Sequence, residues 1–197
     1  MQLSIQKIPG PDIEPHFADI SGIRQTVFRE WPYLYQGSDE YEREYFENFM
    51  QSQRALCILI QDGSKTVGLT TLMPLAEEHD ELKQPVADYG LDIHKIFYFA
   101  ETCILPEYRG SGLYKQLFQM REDHANSFGD DYTQACFCSV IRPSNHALKP
   151  DSYKPLDEIW RRYGYRKISD LHMRFSWQDI DQSQETRKDL VVWTKSL

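Results

Sequence analysis

A chain of 197 residues, 41% hydrophobic and 26% charged, has the composition of a soluble globular protein and the length of one large domain with a buried core. Its 30 acidic against 22 basic residues leave a formal charge of −8, and the only short basic clusters, Arg161-Arg162 and Arg166-Lys167, argue against a nucleic-acid partner. No apolar stretch nears the roughly 20 residues of a membrane helix, and MQLSIQKIPGPDIEP lacks a basic region followed by an apolar one, so a cytoplasmic protein without membrane contact is expected.

LSIQKI alternates as a first strand. In PHFADISGIRQTVFREW, Phe17, Ile20, Ile23, Val27 and Trp31 recur every three or four residues, an amphipathic helix that Pro32 closes. The turn-rich WPYLYQGS, with Trp31, Tyr33 and Tyr35, leads to a second helix across DEYEREYFENFMQSQ, apolar along Tyr41, Tyr45, Phe49 and Met50. ALCILI and TVGLTTLM are two strands joined by a hairpin through Gly63. PLAEEHDELKQPVADYGLDIHK mixes Pro, Gly and charge without a clean period, which predicts a loop with at most a short helix. IFYFAETCIL is nearly unbroken in β-formers, the pattern of a central strand buried on both faces.

SGLYKQLFQMREDHANSF is helical, YTQACFCSVI a strand, PLDEIWRRYG a short helix stopped by Gly164, and YRKISDLHMRFSW and KDLVVWTKSL two further strands. With no repeat, low-complexity tract or long linker, residues 1–197 form a single mixed α/β domain with helices on both sides of a sheet. The cysteines, Cys57, Cys103, Cys136 and Cys138, lie in apolar runs without a CxxC pair, so buried thiols are expected and no disulfide or metal site.

The stretch ILPEYRGSGLYKQLFQ carries the functional signal. A strand that turns through glycines into a helix offers a row of backbone N–H groups with the positive end of the helix behind them, a site for an anion and most often phosphate. Walker A fails, because no Gly-Lys-Ser/Thr follows Gly110 and Gly112; the dinucleotide fingerprint fails, because Lys115 stands at its third glycine. A glycine pair that merely makes a tight turn is the bland alternative.

The hexamer Arg109-Gly110-Ser111-Gly112-Leu113-Tyr114 resembles the R/Q-x-x-G-x-G/A signature of the GCN5-related N-acetyltransferases (GNAT), with the approach ILPEYRG and the late IWRRYGY also family-like. VFREWPYLYQG and VVWTKSL are similar to segments of a bacterial subgroup. The resemblance implies a single-domain α/β fold with a mostly antiparallel sheet flanked by helices, whose splayed central parallel strands form a cleft for acetyl-CoA. It implies that Arg109 to Tyr114 grip pyrophosphate, that the backbone of Cys103, Ile104 and Leu105 pairs with pantetheine, and that Asn145 contacts the cofactor. Two residues depart from the pattern. Tyr114 stands where a small residue is usual, and Trp160 where the family often has the tyrosine that protonates the leaving thiolate, leaving Tyr153 and Tyr163 as the nearest phenols.

The chemistry must remove a proton from an ammonium before its nitrogen can attack a thioester. Glu101 is the only charged residue between Ile96 and Leu105, and a carboxylate in an apolar strand needs a raised pKa or a polar partner. It is therefore the candidate base, with His94 and His79 as alternatives and a structural carboxylate tied to Arg109 or Arg142 as the competing description. Tyr33, Tyr35 and Glu77, with Trp31, Tyr41, Glu78 and Asp80, are the candidate acceptor-binding residues, since rings and carboxylates together attract a cation. An acyl-cysteine on Cys136 or Cys138 is disfavoured, for want of a paired His and acid.

The sequence thus points to acetyl transfer from acetyl-CoA to a primary amine, of a small molecule, by direct attack in a ternary complex. A non-catalytic acyl-CoA sensor and an acetyltransferase of protein N-termini or lysines are the alternatives, and a C-terminal edge strand pairing across a homodimer is open.

Overall fold

The computed structural model describes residues 3–197. Alternating and unbroken apolar runs become the strands β1 (Leu3–Pro9), β2 (Leu56–Asp62), β3 (Lys65–Pro74), β4 (Ile96–Ile104), β5 (Gln134–Val140), β6 (Arg166–Gln178) and β7 (Glu185–Ser196). Segments with three-and-four spacing become α1 (Phe17–Phe28), α2 (Asp39–Tyr45), α3 (Glu47–Gln51), α4 (Asp80–Asp88), α5 (Leu113–Asn126) and α6 (Asp157–Arg162). The strands form one sheet in the order β1-β2-β3-β4-β5-β7-β6, antiparallel throughout except between β4 and β5.

Helices cover both faces of the sheet. Phe97 of β4 meets His124 of α5 and Phe128 just beyond it, whereas Glu101 of the same strand meets Arg24 of α1. A bulge explains how one strand serves both. Thr71 pairs with Glu101 but Met73 pairs with Tyr98, so Phe99 and Ala100 together oppose Leu72. Strict alternation would turn Tyr98 and Glu101, three residues apart, to opposite faces; the extra residue brings them to the same one.

The parallel pair is short. β4 and β5 pair only from Ile96 and Gln134 to Tyr98 and Cys136. Beyond that, β4 stays on β3 as far as Ile104 and β5 stays on β7 as far as Val140, so their facing edges part.

The segment 74–95 holds a short helix, as the sequence allowed: α4, nine residues with Pro85 inside it. Two sequence expectations are revised. The second helix is broken at Phe46 (φ −87°, ψ 2°), whose fully buried ring packs edge-on against Phe17, Tyr45 and Phe49. The C-terminal strand is not an edge: β7 lies between β5 and β6 with both ladders filled, and the sheet edges are β1 and β6. A dimer through a free C-terminal strand is therefore ruled out, because its backbone donors are already used.

Candidate active site

β4 ends in a single 3-10 turn at Pro106–Tyr108, and the chain reaches α5 through Gly110 (φ +76°) and Gly112 (φ +88°). A methyl group at either glycine would meet nothing within 4 Å, so backbone conformation and not packing demands glycine, and the space beside the loop is open. Ser111 Oγ ties the loop to Tyr108 O at 2.7 Å. The first helical bond is from Gln116 N–H to Gly112 O; among the described residues, the N–H groups of Gly110, Ser111 and Gly112 find no backbone acceptor. Together with the unpaired N–H groups of the first turn of α5, they make an anion cradle.

Arg109 and Tyr114 frame that cradle. Arg109 Nε donates to Ile104 O at 2.9 Å and its Nη1 to Glu30 Oε2 at 2.9 Å. Tyr114 does not crowd the loop: its ring packs on Phe118, and its hydroxyl accepts a hydrogen bond from Trp160 Nε1 at 2.8 Å. Burial holds the Tyr114 phenol above its ordinary pKa. Leu113 is buried in the core beneath the loop.

The strand edge offered to a ligand is narrower than expected. Leu105 N–H is already donated to Val67 O at 3.0 Å, and the Cys103 carbonyl faces Gly68 of β3. By alternation Ile104 turns its backbone the other way, to the parted edge where Arg109 takes its carbonyl. Of Cys103, Ile104 and Leu105, only Ile104 presents backbone groups to the cleft, because pairing with β3 consumes the other two.

Glu101 sits in a buried ionic network that binds α1, α2 and β4. One oxygen is 2.5 Å from Arg24 Nη1 and the other accepts from Tyr45 Oη at 3.0 Å. Arg24 Nε donates to Glu42 Oε2 at 2.7 Å, and Tyr35 Oη donates to the other oxygen of Glu42 at 2.8 Å. Arg24, Glu42 and Glu101 are each at most 5% exposed. Burial alone would lower the Arg24 pKa, but Glu101 and Glu42 more than offset it and hold the guanidinium well above its usual range. The partner of Glu101 is thus Arg24, neither Arg109 nor Arg142.

This network forms one wall of a solvent-open cleft. Tyr33, Tyr35, Tyr41 and Tyr45 line it together with Phe28, Phe175 and Trp177, and Tyr98 and Cys138 stand where β4 and β5 part. Tyr98 Oη and Cys138 Sγ are 3.1 Å apart. Burial pushes the Cys138 thiol up to about 12, and it stays protonated. All four cysteines are free thiols, and among the described residues no cluster of potential metal ligands occurs.

The remaining candidates divide. Glu77 is exposed and does not line the cleft, and Asp80 is a surface residue paired with Lys83. Its neighbour Glu78 is 4% exposed, accepts from the His79 N–H at 3.0 Å, and burial raises its pKa to about 7. His79 stacks on Tyr45, its Nε2 3.0 Å from Tyr45 O, whereas His94 is exposed. Asn145 is exposed on the connection between β5 and α6. Tyr153 packs edge-on against Trp31, and Tyr163 packs on Phe118 and Tyr114.

Sequence reasoning missed Arg24, Glu42 and Asp179, and it paired Arg142 with Glu101 where the structure pairs it with Asp179. Arg142 donates to Pro32 O at 2.7 Å, to Tyr33 O at 2.5 Å and to both oxygens of Asp179, so it clamps the Tyr33 loop onto the end of β6. Arg24 did carry a signal: it follows Phe17, Ile20 and Ser21 on the face that α1 buries, and a cation there requires a buried anion.

No known family profile matches the chain, and no curated protein matches it by sequence. Its fold does match solved structures. The acetyltransferase of the GNAT family from Streptococcus pneumoniae superposes with a TM-score of 0.58 at 11% identity, covering 100% of both chains. The loading GNATL domain of CurA from Lyngbya majuscula gives 0.62 at 12% identity, over 100% of this chain and 98% of that one. Arabidopsis thaliana NAA60 in complex with a bisubstrate analogue gives 0.61 at 13%, over 99% and 98%. By these superpositions the chain has the fold of the GNAT N-acetyltransferases.

Proposed function

We propose that the protein is an acyl-CoA-dependent N-acyltransferase that moves an acetyl group to a primary amine by direct attack in a ternary complex. One observation carries the reading: an open N–H cradle at the head of α5 lies at the end of a strand whose parted edge leads to a cleft holding a buried carboxylate. Acetyl-CoA is the substrate that fits this sequence of groups. Its pyrophosphate suits the N–H groups of Gly110 to Tyr114 and the Arg109 guanidinium, its pantetheine suits the N–H of Ile104, whose carbonyl Arg109 already holds, and its thioester falls beside Tyr98 and Cys138.

The chain's own residues supply position and charge. Glu101 accepts the ammonium's proton, directly, through water or relayed by the Tyr45 hydroxyl that donates to it, while Arg24 holds Glu101 in place. Tyr33 lines the cleft, where burial, and then Cys138, Cys103, Tyr114 and Tyr153, hold its phenol protonated and raise its pKa; a thiolate, a weaker base than that phenolate, leaves unassisted and takes its proton from water. With all four thiols buried or raised in pKa, a ternary complex is favoured over an acyl-cysteine.

The test is thermal stability with and without acetyl-CoA, followed by thiol release across a panel of amines. Saturation near 100 times Kd adds about 2.7 kcal/mol. A shift with thiol release supports the enzyme. A shift without release from small amines or peptides makes the protein a sensor, and no shift overturns the reading of the glycine loop.

A further inference from the structure

The acceptor cleft is walled by rings in contact with one another. Phe28 and Tyr33 have centroids 4.5 Å apart, and Tyr33 continues to Trp177 at 6.1 Å. On another side Tyr41 and Tyr45 both pack on Phe175, at 6.3 and 5.7 Å. These rings are not free to swing away. Tyr41 Oη donates to Ser176 O at 2.6 Å, Trp177 Nε1 donates to Tyr33 O at 3.0 Å, and Arg142 grips the same Tyr33 carbonyl.

The charged groups of the cleft are equally committed. Both oxygens of Glu42 accept hydrogen bonds, from Arg24 and Tyr35; one oxygen of Glu101 accepts from Tyr45, and the other lies in ion-pair contact with Arg24 Nη1 without a hydrogen bond. Arg24 and Glu101 are the charged residues that line the cleft, and Arg24 is also paired to Glu42, so the wall offers one carboxylate, enough for one ammonium. A polycation would need further carboxylates, and neither the exposed Glu77 and Asp80 nor the buried Glu78 lines the cleft. A polyhydroxylated amine would bring hydroxyls to a wall of rings and leave them unpaired, at the cost of their hydration.

From this arrangement we infer that the acceptor is a monoamine carried on a flat aromatic body, its ring held among Phe28, Tyr33, Phe175 and Trp177 and its ammonium turned toward the Glu101 wall. The inference rests on the acyl-transfer reading and narrows it. In the step, the amine nitrogen forms a bond to the thioester carbon and the carbon–sulfur bond breaks. The ammonium loses two protons, one ending on the CoA thiol and one in solvent, and the products are the N-acetyl amine and free CoA.

The experiment compares thiol release from acetyl-CoA by the full chain with 2-phenylethylamine, 1,4-diaminobutane, glucosamine and a short peptide with a free N-terminus. We expect kcat/KM for the aromatic amine to exceed each of the others by at least about tenfold. Phe175→Ala should lower that value by about tenfold or more while leaving the acetyl-CoA thermal shift intact, and quenching of tryptophan emission by 2-phenylethylamine reports ring binding without turnover. Release with the diamine, the sugar or the peptide at equal or greater efficiency overturns the aromatic reading and leaves acyl transfer standing. Absence of both the acetyl-CoA shift and thiol release overturns acyl transfer itself, and an acetyl-CoA shift without emission quenching by the aromatic amine overturns the acceptor class alone.

Discussion

Trp160 Nε1 donates to Tyr114 Oη across 2.8 Å, so the two residues that depart from the family pattern are partners. A bulky ring at the first turn of α5 is accommodated because α6 supplies a donor for its buried hydroxyl and both rings sink into the core cluster. The pair joins the helix that opens the anion cradle to the helix that follows β5. Tyr114→Phe strands the Trp160 N–H, and a loss of about 1–3 kcal/mol in urea denaturation is expected. Trp160→Phe should lose a similar amount, and the double variant should lose clearly less than the sum. Additive losses would mean that the bond contributes nothing.

Glu101→Gln keeps the shape of the side chain and removes its charge. Turnover should fall at least about tenfold with little change in the thermal shift given by acetyl-CoA, because under the proposed acyl transfer the residue lies on the acceptor side of the thioester. The substitution also leaves Arg24 with one carboxylate in place of two, so the free variant should melt lower than the native chain. Turnover within about twofold of the native value would remove Glu101 from the chemistry and leave it as a structural anchor.

Glu78 predicts a pH dependence of stability. Its carboxyl rises from an ordinary 4.5 to about 7, first because of burial and against the opposing hydrogen bond from His79. The folded state therefore binds the proton more tightly than the unfolded chain. The contribution is fully present below about pH 4.5 and is lost as pH rises through about 7, a change of at most about 3 kcal/mol. Glu78→Gln stays neutral throughout, so its stability relative to the native chain should improve between about pH 5 and pH 8. Parallel denaturation curves at the two pH values check this, and an unchanged difference sinks it.

The Arg142 clamp should matter for both stability and acceptor binding. Asp179 is fully buried between Arg142 and Lys188, the latter 3.4 Å away. Arg142→Met leaves that carboxylate under-compensated and frees the Pro32 and Tyr33 carbonyls, with an expected loss of about 3–5 kcal/mol. Where the variant still folds at low temperature, KM for the amine should rise more than KM for acetyl-CoA. Equal changes in the two would place the clamp outside the acceptor site.

Much of the architecture was legible because local patterns agreed with their tertiary use. β4 read as a doubly buried strand and is one, and the glycine turn before α5 read as a strand-to-helix loop with free N–H groups. Glu101 announced a buried partner by standing charged in an apolar run, yet sequence named Arg109 or Arg142 for it, since neighbours in the chain are easier to see than Arg24, 77 positions earlier. Glu77 and Glu78 are indistinguishable by type, and only the turn after β3 decides which is buried. The bulge that brings Tyr98 beside Glu101 has no local signature, being a mismatch between strands. The Trp160–Tyr114 bond was hidden for the same reason: each residue was visible as an exception, and the exceptions explain each other only in three dimensions.

The Tyr33 loop also sets the order in which the protein can become competent. Tyr35 bridges to Asp179, Gln36 N–H donates to Gln178 O at 2.8 Å, and Ile180 N–H donates to Leu34 O at 2.7 Å. These bonds join segments about 144 residues apart, among the longest loop closures the chain makes. The anion cradle closes within one strand-turn-helix unit, but the ring wall waits for the β6–β7 hairpin. During folding, the capacity to hold the donor should therefore precede the capacity to choose an acceptor.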